Sequence, residues 1–348
     1  MKNYPPYSIN RNIFRALRTM LTILLALILA SVSALSVFGA SAAGSSENRE
    51  ESENREEIKD KATSAFQEFL DGKRSMVFHN DPERTEFHYL DGKDTFADGE
   101  EYTARDLIDK VRDAAEKVTG GSDQNEEPLV INFIKYAVID GASLPFLTMC
   151  FEIRQPVIGT NEAYFVMHYD PEGDKIHLTL AEDSWPKNIL RFNKSGIVTA
   201  VTSVSAFETS YVYRQITGSG DVNFIYSSYY DNRKISLSDL NEGEKNIYLA
   251  SYRVSGETED LSGPEKEDTY YTLHRAAGGD PTFLIDPTID LTAENPAAVL
   301  YMEELEEGAQ LVNHSTVISA VLQSMDRLGV TPGAFFADEP EWTDYETK

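Results

Sequence analysis

The chain has 348 residues, with 31 Lys and Arg against 58 Asp and Glu and a formal net charge of −27 at pH 7. So acidic a surface repels phosphate backbones, which are held through basic side chains and released counterions, and nucleic acid is excluded as a partner. A single cysteine, Cys150, excludes an intramolecular disulfide and a four-cysteine zinc site.

Lys2, Arg11, Arg15 and Arg18 precede an uncharged apolar run from Met20 to Ala40, and Ala40-Ser41-Ala42 closes it. Basic, apolar and small-residue regions in this order predict a secretory signal peptide over 1–42, cleaved after Ala42. The alternative is a retained anchor, because about 20 apolar residues are enough to span a bilayer. Either way the rest of the chain is expected outside the cytoplasmic membrane, secreted or at the cell surface, with membrane contact only through residues 20–40 of an uncleaved chain. Removing 1–42 takes away four basic residues and no acidic ones, leaving a formal charge of −31.

SENREE stands at 46–51 and again at 52–57. Apolar-free and charged, this stretch buries nothing that would offset its ordering entropy, so 43–57 is expected to be a disordered acidic tether or a frayed helical extension. From Ile58, the residues Ala62, Ala65, Phe66, Phe69 and Leu70 recur at helical spacing before Gly72. A second helix is opened by Thr103 with Asp106 as a capping pair, and presents Leu107, Ile108, Val111, Ala115 and Val118 on one face. The helical N-terminal part is therefore 58–121.

Over 122–290 the period shortens to that of strands: 130–139, 144–153, 162–169, 175–181, 188–193, 196–202, 206–216, 221–229, 246–254 and 269–275. Turns such as Asp170-Pro171-Glu172-Gly173-Asp174 are too short for parallel crossovers, so an antiparallel meander is expected. A C-terminal helical part over 291–331 holds helices at 296–307 and 315–328, and 332–348 reads as a loose tail.

The ordered segments AFQEFLDGK (Ala65 to Lys73), YTARDLI (Tyr102 to Ile108), YAVIDGASLPFL (Tyr136 to Leu147), YFVMHYDPEGDKIHL (Tyr164 to Leu178), EDSWPKNILRFNKSGIV (Glu182 to Val198) and DVNFIYSSYY (Asp221 to Tyr230) carry a resemblance. Over roughly 58–230 the chain resembles a group of uncharacterised secreted or surface proteins of anaerobic Firmicutes. Their "YAxIDxDGDGxPEL" turn is similar to the Asp/Gly loops of FG-GAP or VCBS propeller-like blades. The resemblance implies an exported, mostly β scaffold and attaches no activity to it. The corresponding turn here, Asp140 to Phe146, keeps one acidic residue, whereas calcium needs 6–8 oxygen ligands, so it reads as a degenerate turn.

Other chemistry is sparse in the sequence. Six histidines form no HExxH or HxH pair; His168 and His177 fall in neighbouring strands where their rings could meet across a hairpin, but they read first as ordinary half-exposed strand residues. Cys150 lies in an apolar run and reads as core. Glu182 and Asp183 beside Trp185 are an acidic pair of the kind glycoside hydrolysis uses, but among 58 acids they read first as a solvated acidic turn with Trp185 anchoring the sheet. Tyrosines concentrate in the later strands, and Tyr211 and Tyr213 share one side of theirs; Tyr226 and Tyr229 lie on the next. Exposed tyrosines offer apolar area with a polar tip and little entropy to lose.

The sequence therefore predicts an α+β protein: an antiparallel β-meander, propeller-blade-like or a single large sheet, flanked by N-terminal and C-terminal helices. The expected function is a non-enzymatic binding protein holding a glycan or peptide outside the cell through Tyr211, Tyr213, Tyr226, Tyr229 and Trp185, with neither metal nor cofactor. The alternative is an extracellular hydrolase of glycan or cell-wall material working through an acidic pair.

Overall fold

The computed structural model describes residues 47–81, 84–87, 90, 95–119, 130–141, 144–155, 159–203, 208–231, 247–255, 267–276, 285–286 and 310–346. The expectations for 1–42 and for a helix at 296–307 lie outside the described residues. The chain divides at residue 52 into two units, of which the second, Glu53–Lys348, holds both sheets described below.

The first helix, α1, spans Glu47–Leu70 and begins inside the first SENREE repeat. Of the two expectations for 43–57, the structure shows the helical extension over 47–57 rather than the disordered tether: these residues prolong α1, and the Glu57–Lys61 ion pair at 2.8 Å joins them to the buried part of the helix. Residues 54–57 are exposed, and burial begins where the apolar stripe does, with Ala62, Ala65, Phe66 and Phe69. Gly72 ends the helix at φ 71°, its N–H donating to Phe69 O and that of Lys73 to Glu68 O. The second helix, α2 (Ala104–Thr119), starts as its sequence predicts. Thr103 N–H donates to Asp106 Oδ2 at 3.0 Å and Asp106 N–H to Thr103 Oγ1 at 3.2 Å, a closed capping box.

Three short strands, β1 (Ser75–Val77), β2 (Thr85–Glu86) and β3 (Glu101–Thr103), lie around these helices. The meander follows as β4 (Val130–Asp140), β5 (Pro145–Gln155), β6 (Gly159–Asp170) and β7 (Lys175–Ser184), then β8 (Asn188–Phe192), β9 (Ile197–Ser203), β10 (Glu208–Ile216), β11 (Val222–Asp231), β12 (Ile247–Ser255), β13 (Glu267–Ala276) and β14 (Ile285–Asp286). After it come β15 (Gln310–Leu311), α3 (His314–Arg327), α4 (Pro332–Phe335) and β16 (Thr343–Asp344). The protein is α+β, as expected, and the meander is shared between two sheets. One has the order β16-β4-β5-β6-β7-β1-β3 with β2 beside β7; the other runs β14-β13-β12-β11-β10-β9-β8 with β15 on β13.

Both faces of the first sheet are buried near its centre, which explains the near-continuous apolar run of β5. One face, with Leu147, Met149, Phe151, Phe165, Met167 and Ile176, packs under α1 and α2. The other, with Phe146, Cys150, Tyr164, Val166 and Leu180, packs on Leu190, Phe192, Val198 and Ile216 of the second sheet. Beyond the second sheet, α3 and its flanks cover the far face through Val317, Val321, Leu322 and Met325.

The expected loose tail is also corrected. Asn193 Nδ2 donates to Ala334 O and Phe335 O, Trp342 packs on Tyr164 and Phe192, β16 pairs antiparallel with β4, and Tyr345 donates its hydroxyl to Leu70 O. Acidic residues between the aromatics stay in solvent while Phe335, Trp342 and Tyr345 are pressed onto three different surfaces, so 331–346 acts as a strap.

Candidate functional site

A cleft of about 370 Å³ opens at the β7 edge of the first sheet, lined by His79, Asn80, Asp81, Arg84, Asp98, His168, Leu178 and Thr179. Its construction begins with β1 and β2, which both pair parallel with β7, Val77 opposite His177 and Thr85 opposite Ala181. Between these anchor points, residues 78–81 and 84 leave the sheet and form the overhanging wall. Phe78 N–H donates to Glu100 O, Asn80 N–H to Asp98 Oδ1 at 2.9 Å, and Arg84 N–H and Thr85 N–H to Asp81 O. Buried Phe78, stacked on Phe96 at 5.0 Å, fixes the root of the wall, so the next residue, His79, emerges over β7.

The floor comes from the β6–β7 hairpin. His168 and His177 are direct cross-strand partners with ring centroids 5.6 Å apart. The register then slips between Val166 and Met167, and Thr179 is the extra residue on β7. Its hydroxyl lies 2.9 Å from His168 Nδ1. Behind His168 stands Gly220 at φ 91°, where a Cβ would fall 2.4 Å from the ring, so only glycine admits this approach of the β10–β11 turn. Arg84 Nη1 donates to Gly220 O at 3.1 Å and ties wall to turn.

His79 Nε2 and His177 Nδ1 are 2.9 Å apart, with nearly parallel rings, 13° between planes, and centroids 5.2 Å apart. Nitrogens that close with centroids that far apart lie on the line joining the ring centres, so the contact is an in-plane N–H···N hydrogen bond. Asp98 Oδ1 is 4.0 Å from His79 Nδ1, and Asp170 Oδ2 is 4.0 Å from His177 Nε2. Burial, then the charge of His79, lowers the pKa of His177; burial, then His177, lowers that of His168 to about 4. Among the described residues no group of three or more His, Cys, Asp or Glu is arranged to hold a metal ion.

Of the residues singled out in the sequence, Tyr211, Tyr213 and Tyr226 share one face of the second sheet, with Tyr213 directly opposite Tyr226. Their rings stack at 4.4 Å, and Phe335 of the strap covers them at 5.3 and 6.1 Å. Tyr211 meets Tyr230 edge-on. Tyr229, opposite Ser210, points to the other face, so the four rings do not form one patch. Trp185 sits in the β7–β8 turn, bridged to Asn188. Glu182 and Asp183 point to opposite sides of β7. Both Glu182 oxygens accept from Arg214, at 2.5 and 2.7 Å, and Asp183 Oδ2 accepts from Leu90 N–H. Burial raises the pKa of the Cys150 thiol, leaving it unreactive. In the Asp140 turn, a Cβ on Gly141 would lie 2.7 Å from Leu144 O and 3.0 Å from Gly218 N, so that turn is used for close backbone packing.

The pairing of His168 with His177 was open in the sequence as a possibility of their adjacent strands, where the plainer reading was of two ordinary strand residues. His79 was not: it follows β1, a strand of only three residues, and the parallel register of β1 on β7 is what brings it there. No helix among the described residues is long and apolar enough to cross a membrane. Comparison with family models, curated proteins and solved structures finds no match.

Proposed function

We propose that the protein works outside the cytoplasmic membrane as a non-enzymatic binding protein, and that its ligand, a glycan or peptide fragment, is held in the histidine-lined cleft rather than on the tyrosine face. The observation that carries this reading is the cleft lining. Arg84 stands beside Asp81, Asp98 and Asn80 in a space within the size range of small-ligand sites. Donors and acceptors set around one hollow suit a ligand bearing hydroxyls or amides, each of which presents both roles. The basic, apolar and small-residue order of 1–42 supports export. Tyr213 and Tyr226, sandwiched under Phe335, are poorly suited to receive a ligand. The hydrolase alternative draws no support from Glu182 and Asp183, because each is already engaged.

The test is a glycan and peptide array probed with the full-length protein, followed by calorimetry on any hit. Arg84→Ala and Asp98→Ala are each expected to weaken binding by at least tenfold while the circular dichroism spectrum is unchanged. Undiminished binding in both variants would overturn the placement in the cleft, and turnover of a bound glycan would overturn the non-enzymatic reading.

A further inference from the structure

We infer that Asp98, His79, His177 and Asp170 form a single-proton site, in which the two imidazoles together take up one proton, and not two, as the pH falls. The inference is independent of any ligand in the cleft and rests on counting hydrogens along a line of four groups.

Two neutral imidazoles have four ring nitrogens and two N–H hydrogens. The 2.9 Å contact between His79 Nε2 and His177 Nδ1 uses one of them, with one nitrogen donating and the other accepting. A single N–H remains for the two outer nitrogens, His79 Nδ1 and His177 Nε2, each of which faces a carboxylate. In the neutral pair, therefore, one aspartate faces a donor and the other faces a lone pair. One added proton completes the line: both outer nitrogens become donors toward Asp98 and Asp170, and the central hydrogen bond survives. A second added proton has only the central acceptor to go to. It would replace an N–H···N bond by two N–H groups pointed at each other, between two cations.

The carboxylates are fixed for this role by backbone donors. Asn80 N–H holds Asp98 Oδ1 at 2.9 Å, while Glu172 N–H and Gly173 N–H hold the two oxygens of Asp170 at 2.9 and 3.0 Å. Among the described residues, the other charged or titratable groups facing the pair are Lys175 on β7, Glu101 on β3, and His168 on β6. Lys175 and Glu101 are paired to each other at 3.1 Å, and across the cleft Arg84 is paired with Asp81 at 3.6 Å, so the local charge they leave is small. Next in the row, His168 stays neutral through the mildly acid range, since its pKa is lowered to about 4 by burial and then by His177. The His79 side chain is 47 % exposed and the His177 side chain 21 %, so the proton enters at the Asp98 end.

The experiment is a side-chain ¹⁵N titration of histidine-labelled full-length protein between pH 8 and 4.5, with the rings assigned by single His→Gln variants. His79 and His177 are expected to move with a common midpoint and to gain one proton in total. Asp98→Asn and Asp170→Asn are each expected to lower that midpoint by about half to one pH unit, since a carboxylate beside a cation shifts its titration in this direction. In His79→Gln, His177 should take up a whole proton by itself. The wild-type count decides even where a variant fails to fold: any total other than one overturns the proposal, as does a midpoint that neither folded asparagine variant moves.

Discussion

Arg214 and Glu182 illustrate how a single pair ties the two sheets. Their side chains are 16 % and 11 % exposed, the contact is two-pronged, and Arg214 Nε has no hydrogen-bond partner among the described residues. Breaking a buried pair from one side leaves an uncompensated charge, whereas replacing both partners removes the desolvation cost as well. Arg214→Met is therefore expected to lose about 3–5 kcal/mol of unfolding free energy, and Arg214→Met with Glu182→Leu to recover most of it; urea titration of the three proteins checks this. His168 makes a second prediction, about pH. Its folded pKa of about 4 lies below the ordinary 6.5, so the unfolded chain binds more protons between those values and stability falls as the pH drops through that window. Between pH 7 and pH 5 the loss attributable to this residue is about 2 kcal/mol. His168→Gln should flatten the pH dependence of the urea midpoint by that amount, and an unchanged slope would show that His168 is protonated in the fold.

Elements divide by how local their causes are. The long strands and the start of α2 were legible, because alternation, turn clusters and the Thr103–Asp106 pair lie within a few residues of one another. What was not legible depends on contacts distant in sequence: β1 is held between β7 and β3, β2 lies on β7, and the split into two sheets follows from packing that no strand reveals alone. The SENREE repeats show the converse, since charge and absent apolar residues describe the exposure of 54–57 well but left open whether the segment is a tether or a helical extension. With residues 54–57 exposed and joined to the rest of α1 through surface ion pairs, deletion of 46–57 is expected to cost no more than about 0.5 kcal/mol. A thermal midpoint several degrees lower would show that the repeats pack on the body.

Within the unit Glu53–Lys348 the layers run α1 and α2, first sheet, second sheet, α3, with the strap 331–346 reaching from the last layer back to the first through Phe335, Trp342 and Tyr345. That reach has a consequence in time. Neighbouring strands from β4 to β11 are joined by short turns and meet early, whereas β16 joins β4 across roughly 200 residues, and contacts so distant in sequence form slowly. Trp342, one of only two tryptophans, sits at that closing point against Tyr164 and Phe192, so its fluorescence is a clock for the last stage of folding. In a Trp185→Phe variant diluted out of urea, β-sheet dichroism is expected to develop first and the Trp342 signal at least several-fold more slowly; a single rate constant for both would mean that the strap docks together with the sheets. Until it docks, the Tyr213–Tyr226 stack and the outer edge of β4 are bare, and in that interval one unfinished molecule presents to another the surfaces its own strap will later cover.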